Sequence, residues 1–296
     1  MSLYLAIDIG GTAIKHGLVD ESGRILERQE WPTQAHLGGA HILETVCRLV
    51  EEYREIAELK GVALSSAGMV DPLKGEIFYS GPQIPNYAGT QFKATIEERY
   101  GLPCEIENDV NCAGLAESIS GASQGSQLSL CLTIGTGIGG CLVQEGTIFH
   151  GSSYSACEVG YLPLPGGAFQ DMASTTALVK AVSKAHGDDM ANWDGRRIFE
   201  EAKAGNEKCR SAIAQMTHHL ALGIASICYV VNPEIVVLGG GIMAQKAYLE
   251  PLLQQELKEI LVPILAEKTK LAFAHHQNDA GMLGAYYHFR KMQETK

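Results

Sequence analysis

Leu5-Ala-Ile-Asp-Ile-Gly-Gly-Thr12 and Leu130-Cys-Leu-Thr-Ile-Gly-Thr-Gly137 are one pattern written twice. Each is an apolar run that ends in Ile-Gly and a cluster of glycine and threonine. A second apolar stretch follows each (Gly17 to Val19; Cys141 to Val143) and then a turn, Asp20-Glu-Ser-Gly23 in one and Glu145-Gly146 in the other. Strand, glycine turn, strand is a hairpin with polar backbone exposed at its tip. A duplicated hairpin predicts two similar lobes, each offering a turn to one shared cleft.

Between and after the repeats the chain alternates helix and strand. Ile42, Val46, Leu49 and Tyr53 recur at helical spacing, and Gly61-Val-Ala-Leu64 reads as a short buried strand. Glu105-Ile106 leads into Glu107-Asn108-Asp109, with a helix over Ala113 to Ser118. Ile213, Met216, Leu220, Ile224 and Ile227 mark a long helix that must stop before Asn232-Pro233, because proline cannot continue it. Ile235 to Leu238 then runs as a strand into Gly239-Gly240-Gly241. The alternation predicts an α/β protein with helices layered on sheets. The expected division is 1–118, joined by a C-terminal helix over 280–296, against 119–279, with a hinge near 117–128.

Composition narrows the function. At 296 residues there is room for two lobes with their own cores, and 46% apolar against 19% charged residues makes the chain globular. A net charge of −11 argues against nucleic acid, whose phosphates attract basic surfaces. It also opposes a free polyphosphate, so a bound magnesium ion would have to supply positive charge. The N-terminus lacks the basic region and cleavage site of a signal peptide. No apolar run approaches the roughly 20 residues that span a bilayer. Cysteines at 47, 104, 112, 131, 141, 157, 209 and 228 include no C-x-C or C-x-x-C pair. They signal neither a disulfide framework nor zinc, and read as buried reduced thiols in a cytoplasmic protein.

The chemistry-bearing segments each have a plain reading beside a functional one. In Asp8-Ile-Gly10-Gly11-Thr12, glycines let backbone N–H groups approach phosphate oxygens and Thr12 adds a hydroxyl. Asp8, at the strand end, could hold magnesium through water or a phosphate; the alternative is an ordinary hairpin with a capping Asp. Gly135-Thr136-Gly137-Ile-Gly-Gly140 weakens a strand unless something must come close. Neither turn is a P-loop, which needs a following Gly-Lys-Ser/Thr, and neither is a dinucleotide fingerprint, which needs a helix directly after the glycines. Asn108 or Asp109 could be a helix N-cap. Alternatively Asp109 is a general base that takes a proton from a sugar hydroxyl, with Asn108 bonding a neighbouring hydroxyl. Glu158 can accept from two vicinal hydroxyls, or be a solvated loop residue. Gly239, Gly240 and Gly241 offer bare backbone to a nucleotide, or form a plain turn. His218-His219 and His275-His276 lack partners at ligand spacing and read as structural.

The order of these segments, with Glu158-Val-Gly-Tyr161 and Asp279-Ala-Gly-Met-Leu-Gly-Ala285, resembles the ROK family (repressor, open reading frame, kinase) over nearly the whole chain. The resemblance implies a hexokinase-type, actin-like fold of two ribonuclease H-like lobes, and an ATP- and magnesium-dependent kinase acting at O6 of a hexose or hexosamine. It implies Asp109 as catalytic base, and Asn108, Glu158, Tyr161, Gln170, Gly68 and Gln83 on the sugar side. Gly10, Gly11, Thr12, Lys15, Gly135, Thr136 and Gly137 fall on the phosphate side.

Three departures from the family pattern stand out. Ala13 replaces the usual Lys after Gly-Gly-Thr, with Lys15 as the compensating cation. Tyr161 replaces the His of Glu-x-Gly-His, and Leu162-Pro-Leu-Pro-Gly-Gly-Ala-Phe169 replaces a zinc loop, so no structural zinc is expected. Gln170 stands where a sugar-binding Glu is usual. The zinc-less pattern looks like a subgroup that includes β-glucoside kinases, which act on the non-reducing glucose of a disaccharide. An N-acetylmannosamine or other hexosamine kinase is the alternative. A non-catalytic sugar sensor would bind sugar without releasing ADP. A transcriptional regulator would need a DNA-binding region ahead of Asp8. The expected assembly is a homodimer with no nucleic-acid or membrane partner.

Overall fold

The computed structural model describes residues 2–294. Position 1, and positions 295 and 296 at the end of the expected 280–296 helix, lie outside the described residues. The chain divides into two compact units, 1–120 with 147–156 and 278–296, and 121–146 with 157–277. The division expected from sequence falls at 118/119 and leaves 147–156 with the second part. In the structure that segment packs with the first unit. The expected hinge at 117–128 also begins inside a helix that runs to Ser120.

The first unit is built on a sheet of β1 (Leu3–Ile9), β2 (Ala13–Asp20), β3 (Gln29–Pro32), β4 (Leu59–Ser66) and a strand Cys104–Asn108. The spatial order is β3-β2-β1-β4 and then Cys104–Asn108. β1, β2 and β3 pair antiparallel, whereas β1, β4 and Cys104–Asn108 run parallel. A hairpin continued by parallel strands is the ribonuclease H-like arrangement that the family resemblance implies. The parallel strands are mostly buried, as expected where helices cover both faces, although Cys104–Asn108 alternates Cys and Ile with two Glu. Helix α1 (Gly39–Ile56) turns Ile42, Val46, Leu49 and Tyr53 into the core on one side.

The C-terminal helix Ala280–Glu294 covers the other face. Its Met282 and Tyr286 pack on Ala6 and Val19, and its Ala285 and Phe289 on Ala63 and Cys112. Two glycines permit that fit. A Cβ on Gly284 would stand 1.8 Å from the Cys112 carbonyl oxygen, and one on Gly61 would stand 2.2 Å from the Phe289 ring.

The second unit repeats the scheme. Leu128–Ile134 and Ile138–Gln144 form the hairpin. Ile235–Gly239 pairs parallel with Leu128–Ile134, and Lys270–Phe273 pairs parallel with Ile235–Gly239. Helix Glu207–Val231 is held at both ends. Asn206 accepts from the Lys208 and Cys209 N–H groups, and Asn232 leaves the helix in a left-handed conformation before Pro233. By length and composition alone the helix would suit a membrane span, although its apolar run is interrupted by Gln215, His218 and His219. Ile213, Met216, Leu220, Ile224 and Ile227 are instead buried in this unit's core, which accounts for that composition.

Candidate active site

In the first unit the parallel register brings three strand ends into line: Ile9 opposite Ser66, and Ser66 opposite Asn108. At about 4.8 Å between neighbouring strands, the β1 end and the Asn108 end lie about 10 Å apart on one sheet edge. Chain leaving the carboxyl ends of parallel strands is where α/β proteins bind ligands.

The β1 end carries the first glycine turn. Gly10 N–H donates to the Ala13 carbonyl at 3.0 Å, which closes the hairpin. Thr33, wholly buried, braces the turn from outside: its hydroxyl donates to the Gly10 carbonyl at 2.7 Å, and its N–H to the Thr12 carbonyl at 2.9 Å. Gly11 and Thr12 are left exposed at the tip. Asp8 sits one step back, its side chain 14% exposed, accepting from the Ser65 hydroxyl at 2.7 Å with Lys15 Nζ at 3.6 Å across the hairpin. Lys15 therefore does lie beside the turn that lacks the usual lysine. Gly281 is obligatory here, since a Cβ would stand 2.4 Å from the Asp8 carboxyl carbon.

The Cys104–Asn108 end carries the second group. Helix Asp109–Ser120 starts at once after the strand, four residues earlier than its apolar pattern predicts. Asn108 is the cap: its Oδ1 accepts from Val110 N–H at 2.9 Å and Asn111 N–H at 3.1 Å. Its Nδ2 donates to the Gly68 carbonyl at 2.9 Å and to Asp109 Oδ1 at 3.1 Å. Asp109 Oδ1 also accepts from Val110 N–H at 2.9 Å. Asn108 is thus the cap, and Asp109 takes the first helical position, its carboxylate accepting from Asn108 Nδ2 and Val110 N–H. Gly68, at φ +93°, joins this group as expected. Gln83 does not; it is exposed, with its amide oxygen against Gly81.

Behind Asn108 lies a cluster that the sequence did not reveal. Glu107 is 1% exposed. Its Oε1 accepts from Asn108 N–H at 2.7 Å and Asn111 Nδ2 at 3.0 Å, while Oε2 meets His150 Nε2 at 2.6 Å and His288 Nδ1 at 3.7 Å. Burial alone would raise the Glu107 pKa. The His150 bond, His288 and Asn111 outweigh it and leave the carboxyl below its ordinary range, hence ionised. Burial keeps His288 below the ordinary imidazole range.

In the second unit, Gly135 N–H donates to the Gly137 carbonyl at 3.0 Å, and the Gly135 carbonyl accepts from Thr175 N–H at 2.9 Å. Thr175 opens a helix, Thr175–His186, capped by Ser174, so a helix N-terminus stands against the turn. Gly240 touches the same hairpin: at φ +98° a Cβ would lie 2.2 Å from the Ile134 carbonyl oxygen. The turns 135–137 and 239–241 are therefore neighbours, and both are fitted to approach by backbone rather than side chains.

The sugar-side candidates of this unit cluster too. Gln170 Oε1 sits where Cβ atoms of Gly137 and Gly160 would come within 2.8 and 2.9 Å, wedging it between the turn and the Glu158–Tyr161 segment. Glu158 is an exposed residue, but protein around its carboxyl displaces water and raises its pKa. Tyr161 is 60% exposed. The segment expected to replace a zinc loop closes as a small hairpin, Pro163 opposite Ala168. His218 is tied to Glu256 at 2.7 Å, and the His275 and His276 rings meet edge to face.

Asp8 suits magnesium that arrives with a nucleotide: one carboxylate at a strand end, with phosphates and water to complete an octahedron. Among the described residues no group of three or more His, Cys, Asp or Glu could hold a metal ion by protein ligands alone.

The ROK family profile matches residues 4–292. The chain belongs to the ROK family. It is 32% identical over 292 residues to a β-glucoside kinase of Listeria monocytogenes, covering 96% of each protein. The structure superimposes on a ROK hexokinase from Thermus thermophilus with a TM-score of 0.84 and 30% identity, covering 99% of this chain and 100% of that one. A ROK family glucokinase from Streptomyces griseus, solved with glucose and AMPPNP, gives a TM-score of 0.83 at 25% identity, with 96% and 98% covered. These ROK neighbours place the chain in the hexokinase-type, actin-like class.

Proposed function

We propose that this ROK protein is an ATP-dependent sugar kinase that phosphorylates the 6-hydroxyl of a hexose or of the non-reducing glucose of a β-glucoside. Asp109 accepts the hydroxyl proton as the oxygen attacks the γ-phosphorus; the new O–P bond forms as the bond to the bridging oxygen breaks and ADP leaves. The observation that carries this reading is the placement of Asp109. It is the first residue of a helix at the sheet edge where the Gly10–Thr12 turn leaves β1, and its carboxylate is oriented by Asn108 Nδ2 and Val110 N–H. Phosphoryl transfer asks little else of a protein than such aim and charge stabilisation.

Asn108, Gly68, Glu158, Tyr161 and Gln170 are assigned to the sugar, and the turns at 10–12, 135–137 and 239–241 to the nucleotide. Magnesium bound to the phosphates would supply the cationic charge that an acidic chain lacks, with Asp8 holding it and Lys15 beside it. The β-glucoside assignment has its support in the 32% identity to a β-glucoside kinase and in Tyr161 and Gln170 at the positions that differ from the family pattern.

The test is ADP release with glucose, cellobiose, N-acetylmannosamine and fructose. Turnover should be highest on cellobiose. Asp109→Ala should lower kcat by about three powers of ten or more while sugar binding survives. Sugar binding without ADP release from any of the four would replace the kinase with a sensor, and N-acetylmannosamine as the best acceptor would make it a hexosamine kinase.

A further inference from the structure

Glu107, His150 and His288 come from three distant segments and meet in the first unit. A carboxylate this deeply buried is stable only while donors surround it, and removing one leaves an under-compensated charge. Among the described residues three donors bond to it: Asn108 N–H, Asn111 Nδ2 and His150 Nε2. The first belongs to the residue that caps the Asp109 helix and donates to the Asp109 carboxylate. Any shift of Glu107 therefore moves the Asn108 peptide, and with it the aim of Asp109. His150 makes the shortest of the three bonds and stands in a loop closed by Ala156 N–H on the His150 carbonyl.

We infer that His150 is a positioning residue for phosphoryl transfer, holding Glu107 so that Asn108 and Asp109 keep the geometry that aims the sugar hydroxyl. The inference rests on the reading of Asp109 as the base. Glu107 is the intermediary. Its Oε2 faces the imidazole and its Oε1 faces the helix start, so one carboxyl group joins the two. A residue acting in this way changes the chemical step rather than the grip on the sugar.

The experiment compares His150→Ala, His150→Gln and Asp109→Asn with the wild type under steady-state conditions, with melting temperatures measured alongside. In His150→Ala, kcat falls about tenfold or more while the sugar KM stays within about threefold. His150→Gln places an amide N–H near the lost Nε2–H and recovers most of kcat, which a purely packing role would not produce. If His150→Ala does not fold, His150→Asn, whose shorter amide misses Glu107, takes its place. Unchanged kcat, a loss that falls on KM, or a loss that Gln does not recover overturns the inference. An active Asp109→Asn removes the base reading and this inference with it. A normal His150→Ala beside an inactive Asp109→Asn removes this inference alone.

Discussion

His16 shows how one residue's surroundings set a property of the entire chain. It lies on β2 next to Lys15, almost wholly buried, with Nδ1 on the Tyr53 hydroxyl at 3.1 Å and its ring edge-on to Trp31 and Tyr53. Its Nε2 is buried and has no hydrogen-bond partner among the described residues. Burial lowers its pKa from 6.5 to about 4. The sign follows from which state takes the proton. Below pH 6.5 the unfolded chain protonates this imidazole while the folded one does not, so stability falls with pH until about 4, where both are protonated. A tenfold change in proton affinity is worth about 1.4 kcal/mol, so the site costs on the order of 3 kcal/mol at the acid end. His16→Phe should flatten the difference between urea-unfolding free energies at about pH 7 and about pH 4.5 relative to the wild type. Equal differences in the two proteins would show that His16 is not the group responsible.

Between elements, the C-terminal helix meets helix Asp109–Ser120 closely: a Cβ on Gly284 would stand 1.8 Å from the Cys112 carbonyl oxygen. A methyl group there has to push apart two helices, one of which carries Asp109 in its first turn. Gly284→Ala should destabilise the protein by about 3 kcal/mol, read by urea unfolding, and lower kcat with it. A variant as stable as the wild type would mean that the helices separate freely. The elements most legible in the sequence are those with a local signature: the two glycine hairpins, the Ile42–Tyr53 face of α1, and the Asn232-Pro233 stop. Asn108 is legible as a cap because cap and helix start fall on neighbouring residues, with Asp109 in the first helical position. The Glu107–His150–His288 cluster is not, because its members are brought together only by tertiary packing and none has a motif of its own. The membership of 147–156 in the first unit is hidden for the same reason. Sequence order puts it next to a strand of the second unit, whereas its His150 is bound to Glu107.

Over the full chain, the net charge of −11 acts on a substrate that is itself an anion. Family phosphate sites usually carry a lysine after Gly-Gly-Thr; here Ala13 holds that place, and Lys15 is engaged by Asp8 at 3.6 Å. ATP thus approaches against the field of the protein. The reach of that field is set by salt, about 30 Å at about 0.01 M ionic strength and about 8 Å at about 0.15 M. Screening should therefore help the encounter rather than hinder it. With magnesium held saturating, kcat/KM for ATP should rise, by about twofold or more, as potassium chloride is raised between these limits. The kcat itself should stay nearly constant, because the chemical step follows the encounter and does not depend on its rate. A fall in kcat/KM over the same range would mean that basic groups near the nucleotide turns outweigh the acidic remainder, and that Lys15 is free to meet phosphate rather than held by Asp8.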